Sequence, residues 1–385
     1  MDKYTGSWCL ANGAVLRPDG FCNQPLYFDR HTISKEHNAD THTYDATGLY
    51  VLPGIVDVHG DGFERNISPR NGVFFDLEDA LLETDQQLLF NGITSAFLAM
   101  TISWEPGLRS LSMAKQIVAS LQRLLGRFST DIRLQLRWEI VAIEAVPSII
   151  DWFTSLSLPT LAINDHYTQL LSSNKAHKVP EYARRAGLSE TDYLSQMQHA
   201  IDRPDAIDEA CNAVIKAAKQ AGVSIYSHDE TDVSTRQSNR ALGITVCEFP
   251  LTKETAQEAR LHHEPVILGA PNVVRGGSHI GAMDATSAIE QNLCTVLASD
   301  YHYPTLLNAI TKLAKGDVAQ LATLWPLISD NPATASQLKD RGQLVAGKRA
   351  DALALSMTSG NLKIEAVFVG GKPVYIADLS RLSLQ

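Results

Sequence analysis

Between residues 51 and 299 the chain offers eight short apolar or β-branched runs, at 51–57, 93–99, 133–141, 159–164, 223–227, 244–248, 265–269 and 294–299, each bounded by turn-forming residues. Helical periodicity appears between them. Asp76 is placed to cap a helix carrying Leu77, Leu81, Leu82, Leu88 and Leu89, which Asn91-Gly92 closes before the next run begins. A second helix starts at Pro204, carries Ile207, Cys211, Val214 and Ala218 on one face and stops at Gly222. Strands alternating with helices predict a parallel sheet covered by helices, and eight of them predict its closure into a (β/α)8 barrel. A doubly wound open sheet is the alternative, but no GxGxxG turn follows the first strand, so its dinucleotide-binding version lacks a signature.

The two ends differ from the middle. Residues 1–50 and the stretch 336–385 both read as short strands joined by Gly, Asn and Asp turns, without helical periodicity. The expected organisation is a barrel over 51–335, flanked by one small β-sandwich unit to which 1–50 and 336–385 each contribute.

A formal net charge of −10 disfavours nucleic acid and acidic membranes as partners, so an anionic substrate would have to be held by local cations. No apolar run approaches the roughly 18 residues that a membrane helix needs, and Met1-Asp2-Lys3-Tyr4 opens no signal-peptide pattern; the expected location is the cytoplasm. Cys9, Cys22, Cys211, Cys247 and Cys294 lack CxxC spacing and read as small core residues rather than as disulfides or thiolate ligands.

Catalytic groups of such a barrel project from the C-terminal strand ends. Five of the eight ends carry metal-capable side chains: His59 and Asp61 after the first run, Glu139 in the third, His166 after the fourth, His228 after the fifth and Asp300 after the eighth. One polar residue at a strand end is ordinarily a hydrogen-bonded loop residue; recurrence in this order is what predicts a centre. His59 and Asp61 are two apart, which on a regular strand points both to one side. Imidazole and carboxylate donors without thiolate suit divalent zinc, manganese, iron or nickel, and two ions bridged by a carboxylate would employ all six residues. Zinc is taken as the first candidate. Asp300 is also the expected proton acceptor for a nucleophilic water. The histidines at 31, 37 and 42 fall in the N-terminal β unit, those at 262 and 263 read as an exposed helix end, and those at 177, 199 and 302 as surface or loop residues.

The stretch Tyr50-Val51-Leu52-Pro53-Gly54-Ile55-Val56-Asp57-Val58-His59 resembles the entry to the first barrel strand of the amidohydrolase superfamily, and Gly347-Lys348-Arg349-Ala350-Asp351 is similar to its C-terminal signature. Within that superfamily the chain resembles the alpha-D-ribose 1-methylphosphonate 5-triphosphate diphosphatase family of phosphonate metabolism. The matching pieces are His59-Gly60-Asp61 with Glu64 and Pro69-Arg70, Arg137-Trp138-Glu139, Asp165-His166, Ala186-Gly187-Leu188-Ser189-Glu190, Ser227-His228-Asp229, Glu248-Phe249-Pro250, Ser299-Asp300-Tyr301 and the long block from Gly269 to His279. The resemblance implies hydrolysis of a ribose 5-triphosphate to the 5-phosphate and pyrophosphate. In that block Asn272, Arg275, Ser278 and His279, with Arg70 nearer the first strand, are the candidate substrate contacts, the glycines at 276 and 277 letting backbone N–H groups approach a phosphate.

Three loops depart from the family's pattern: Tyr167-Thr168-Gln169 after His166, Asp229-Glu230-Thr231-Asp232 after His228, and Asp300-Tyr301-His302-Tyr303-Pro304. They leave the six candidate ligands in place but leave room for another substrate. Hydrolysis of an amide or N-acetyl group on a small, phosphorylated molecule is therefore the competing activity, and a non-catalytic binding protein is the competing class. A small phosphorylated molecule is the expected partner in the first two readings, with homo-oligomerisation open.

Overall fold

The computed structural model describes residues 6–36, 41–167, 170, 177–277 and 283–384. Eight parallel strands pair in chain order: β1 (Ile55–Gly60), β2 (Ile93–Ile102), β3 (Asp131–Glu139), β4 (Thr160–Asn164), β5 (Ile225–His228), β6 (Val246–Glu248), β7 (Val266–Gly269) and β8 (Val296–Ala298). The ring closes where Asp300 N donates to His59 O and Asp61 N donates to Asp300 O, both at 2.9 Å. Asp300 adopts φ 56°, a left-handed conformation that aspartate tolerates better than most residues. The expected (β/α)8 barrel with its separate end unit is the observed architecture.

Helices follow the predicted signals. Asp76 caps Leu77–Phe90 by accepting from the N–H groups of Glu78 and Asp79, and Pro204–Ala221 ends at Gly222, left-handed at φ 68°. Their apolar faces pack on the outward residues of the strands, including Leu98, Met100, Leu136, Trp138, Leu161 and Leu268.

The barrel interior is stratified. Val56 and Phe97 fill the N-terminal end against Ala333 and Leu338. Above them Val58, Ala162, Tyr226, Val246, Ile267 and Val296, one residue from each of six strands, form a second apolar layer. Polar side chains begin one layer higher. On β3 the sequence alternates, so Leu136 and Trp138 face the helices while Gln135, Arg137 and Glu139 face the mouth.

The first predicted run does not become one strand. Tyr50–Pro53 joins a sheet of the end unit, pairing with Ala352–Thr358, and the barrel strand starts only at Ile55. Gly54 sits at the break, where a Cβ would lie 2.2 Å from Thr94 Oγ1; the chain changes sheets where only glycine fits. A second departure affects the metal motif. The register of β1 against β2 slips between Asp57 and Gly60, so strict alternation fails there and Val58 and His59 both reach the interior.

Both chain ends build the flanking unit. One sheet orders Leu382–Ser383, Thr41–Asp45, Ser7–Ala11, Leu26–Asp29 and Thr32–Ser34; the other orders Lys372–Ile376, Asn361–Val369, Ala352–Thr358, Tyr50–Pro53, Ala14–Arg17 and Gly20–Cys22. Phe368 lies between the layers, with Trp8, Phe28 and Tyr44 edge-on to it at 5.7, 5.7 and 5.8 Å. His31 and His42 belong to this unit, whereas His37 lies outside the described residues. All five cysteines are unpaired, with Cys9, Cys247 and Cys294 buried and Cys22 and Cys211 half-buried. Among the described residues no helix is long and apolar enough to cross a membrane.

Candidate metal centre

The six predicted residues come from five strand ends and converge on one cavity of about 460 Å³, lined by His59, Asp61, Glu139, His166, His228 and Asp300 together with residues not foreseen. Donor atoms around the cavity cluster in overlapping sets. His59, Asp61 and Asp300 form one and His166, His228 and Asp229 another, while a third set, His59, His228 and Glu248, shares one residue with each; in every set the donor atoms lie within 4.8 Å of one another. Asp229, left-handed at φ 56°, places its carboxylate 3.5 Å from His166 Nε2 and 3.8 Å from His228 Nε2. Asp229 was not among the six candidate ligands.

Glu139 instead grips His166. Its Oε1 lies 2.5 Å from His166 Nδ1 and its Oε2 accepts from the His166 backbone N–H at 3.2 Å. Burial opposes ionisation of Glu139, yet the neighbouring imidazole outweighs it and holds the carboxyl below its usual range. His166 is driven the other way: burial would lower it, but Glu139 and Asp229 push its pKa up to about 9.

Glu248 was not foreseen as a site residue. It ends β6, is closed off from solvent, and accepts from His59 Nδ1 at 3.0 Å on one oxygen and from His228 Nδ1 at 2.7 Å on the other. Gln135 Nε2 adds a third bond at 2.8 Å. Burial works against its ionisation, and the two imidazoles more than offset this, so it is held well below the ordinary glutamate range. The imidazole planes lie 12° apart with centroids at 5.5 Å, and the Phe249 ring abuts both edge-on at 4.9 and 5.3 Å. With both Nδ1 atoms engaged, Nε2 is the nitrogen each ring leaves for the cavity. The available signal in the sequence was a carboxylate closing the sixth apolar run.

Arg137 spans the first two sets. Its Nη1 donates to Asp61 Oδ2 at 3.3 Å and its Nη2 lies 3.2 Å from His228 Nε2. Burial, then the nearby Asp61 carboxylate, push Asp300 up to about 6. Two carboxylates crowded at a strand junction, together with Nε2 atoms of three histidines, are a donor set that divalent cations fit and that thiophilic ions do not. Below them Asp57 ties β1 to β8, accepting from Ser299 N at 3.0 Å and Ser299 Oγ at 2.5 Å.

The expected substrate contacts distribute unevenly. Asn272 lines the cavity. Arg275 ends the short helix Ala270–Arg275 and is exposed, its Nη1 3.4 Å from the hydroxyl of Tyr301, which does line it. Arg70 is exposed beside the bridge that it forms with Val73. Ser278 and His279 lie outside the described residues. The N–H groups of Gly276 and Gly277 both donate to Asn272 O, at 3.2 and 3.0 Å, so they close the helix rather than face an anion. The departures are local: Tyr167 is buried with its hydroxyl on Ser103 Oγ, Glu230 turns away to pair with the fully buried Arg236 at 3.2 Å, and Tyr303 packs beneath Gly60 and Gly62. Thr168 and Gln169 lie outside the described residues.

No family model matches the chain. In sequence it is 29% identical over 344 residues to the alpha-D-ribose 1-methylphosphonate 5-triphosphate diphosphatase of Escherichia coli K12, covering 86% of this chain and 89% of that protein. Among solved structures it superposes with a TM-score of 0.63 on an amidohydrolase from an environmental sample of the Sargasso Sea, at 13% identity over 97% of this chain and 94% of the other. The fold is that of the amidohydrolase superfamily. Phenylurea hydrolase B shares the same fold, at a TM-score of 0.59 and 14% identity, with 96% and 97% of the two chains covered. The amidohydrolase barrel, its end unit and the likeness to the diphosphatase together support a metal-dependent hydrolase.

Proposed function

We propose that the chain is a diphosphatase that hydrolyses a ribose 5-triphosphate, with alpha-D-ribose 1-methylphosphonate 5-triphosphate as the substrate, to the 5-phosphate and pyrophosphate. The observation that carries this reading is the similarity to the Escherichia coli diphosphatase across most of both chains, combined with a cavity on which carboxylates and imidazoles converge. His59, Asp61 and Asp300 would hold one divalent ion and His166, His228 and Asp229 a second, with Glu139 orienting His166. Bound there, such ions supply charge that acidifies water and offsets the negative charge of the attacked phosphoryl group.

The protein's own part follows from position. Asp300 reaches the mouth from the strand junction and takes a proton from the attacking water as its oxygen bonds to the phosphorus nearest the ribose. The anhydride bond to the second phosphorus breaks, and its electrons leave with pyrophosphate. Glu248 keeps two imidazoles aimed into the cavity, so no reorientation accompanies the reaction. Asn272, which lines the cavity, would contact the small phosphorylated substrate, with the exposed Arg275 and Arg70 as further candidate contacts.

The decisive experiment incubates the purified protein with zinc or manganese and a ribose 5-triphosphate, with pyrophosphate and the 5-phosphate quantified together. Stoichiometric release of both is expected. Release of acetate or ammonia from amide substrates, with no pyrophosphate under any metal, would overturn the reading.

A further inference from the structure

One wall of the cavity carries two arginines that no strand-end pattern points to. Arg109 closes the short turn Gly107–Arg109 after β2, and Arg185 lies in the helix Val179–Ala186; both line the cavity with Tyr182. We propose that Arg109 and Arg185 form the subsite for the two outer phosphates of the triphosphate, the group that departs as pyrophosphate. This rests on the diphosphatase reading and assigns which side chains grip the leaving group.

Each guanidinium is fixed from behind by an acid. Arg109 Nη2 donates to Glu64 Oε2 at 3.0 Å, while its Nε is shut off from solvent without a partner. Arg185 forks onto Glu105, with Nε at 3.2 Å and Nη2 at 2.7 and 2.8 Å from the carboxylate oxygens. Glu105 is itself buried and takes a further bond from the Tyr193 hydroxyl at 2.7 Å, so it is an immobile anchor. The Arg185 guanidinium also lies on the Tyr182 ring, 4.5 Å from its centroid.

Charge accounting selects this pair. The chain carries a net −10, and the cavity wall itself holds Asp61, Glu139, Glu181, Asp229 and Asp300, so an outer diphosphate needs fixed cations. Among the described lining residues the cationic side chains besides histidine are Arg109, Arg137 and Arg185. Arg137 is engaged between Asp61 and His228. Arg137 is only 8% exposed, whereas Arg109 and Arg185, although each is held from behind by Glu64 or Glu105, keep 22% and 24% side-chain exposure, and planar forks suit phosphate oxygens better than a point charge does.

Removing either charge would strand a carboxylate, so the test uses Arg109→Lys and Arg185→Lys, with the paired neutral variant Glu105→Gln/Arg185→Gln as a second line. Two readouts are needed: steady-state kinetics on a ribose 5-triphosphate, and calorimetric binding of inorganic pyrophosphate to the metal-loaded protein, with ribose 5-phosphate as the comparison ligand. Each variant is expected to raise KM and weaken pyrophosphate binding by about tenfold or more, as loss of a charge-assisted bond predicts, with kcat changed less than about threefold and ribose 5-phosphate binding retained. Wild-type turnover with undiminished pyrophosphate binding in all variants would sink the subsite and leave the diphosphatase reading standing. Arginine-dependent pyrophosphate binding without hydrolysis would do the reverse. Absence of both from the wild type would remove the two together.

Discussion

The Nδ1 nitrogen of His59 lies 3.0 Å from Oε1 of Glu248, and the second oxygen of that same buried carboxylate serves His228. One side chain from β6 therefore sets the orientation of rings from β1 and β5. Glu248→Gln retains shape but offers a single accepting oxygen, so one imidazole must face an amide N–H₂. Loss of such an outer partner weakens metal affinity by about 10–100-fold. Competition with a chelator should show that loss while circular dichroism stays unchanged; wild-type affinity would refute the orienting role.

Asp300→Asn keeps the volume and the backbone bonds that close the barrel but removes the proton acceptor. Turnover should fall by at least about 100-fold, with most bound metal retained by elemental analysis. Full activity in this variant would rule Asp300 out as the base.

Gly60 has no room for a side chain. A Cβ there would lie 2.8 Å from both Asp57 Oδ2 and Tyr303 Cε1 and 3.0 Å from Ser299 Oγ. Gly60→Ala should cost about 1–3 kcal/mol of stability through overpacking and loosen the β1–β8 seam that carries His59 and Asp300. A denaturation midpoint equal to that of the wild type would show that the seam yields freely.

Asp131 gives a pH prediction away from the centre. It accepts from Arg133 at 3.0 Å, Arg341 at 2.6 Å and Arg349 at 2.9 Å, joining β3 to the segment that leads into the end unit. Burial opposes its ionisation, but the three guanidinium groups dominate and hold it at about 2 rather than 3.8. A depressed carboxylate stabilises the fold above its unfolded pKa and loses that contribution as the pH falls through the folded value. Roughly 2 kcal/mol of stability should therefore disappear between about pH 4 and pH 2. Asp131→Asn should be less stable at pH 7 and show a weaker acid dependence in that window; parallel curves for the two proteins would contradict this.

Much of the candidate site could be read in advance because polar residues at strand ends sit beside apolar runs in the chain. His59, Asp61, His166, His228 and Asp300 each terminate such a run and meet at the mouth. Glu139 lines the same cavity, but its bond to His166 depends on a loop conformation that spacing does not encode. Asp229 escaped notice because a left-handed backbone, not strand alternation, aims its carboxylate. The bulge between Asp57 and Gly60 likewise replaces the alternation that the pairing of His59 with Asp61 suggested.

Local patterning by itself determined the barrel, its helix caps and the end unit, since period, capping and turn chemistry act over a few residues. Only the tertiary structure decided what the charged side chains face. Arg109 and Arg185 come from a turn after β2 and a helix beyond β4, Glu248 from the end of β6, and their partners lie tens to nearly two hundred residues away in the chain. Hydrogen bonds and ion pairs depend on distance in space, and folding brings together groups whose separation along the chain carries no trace of their contact.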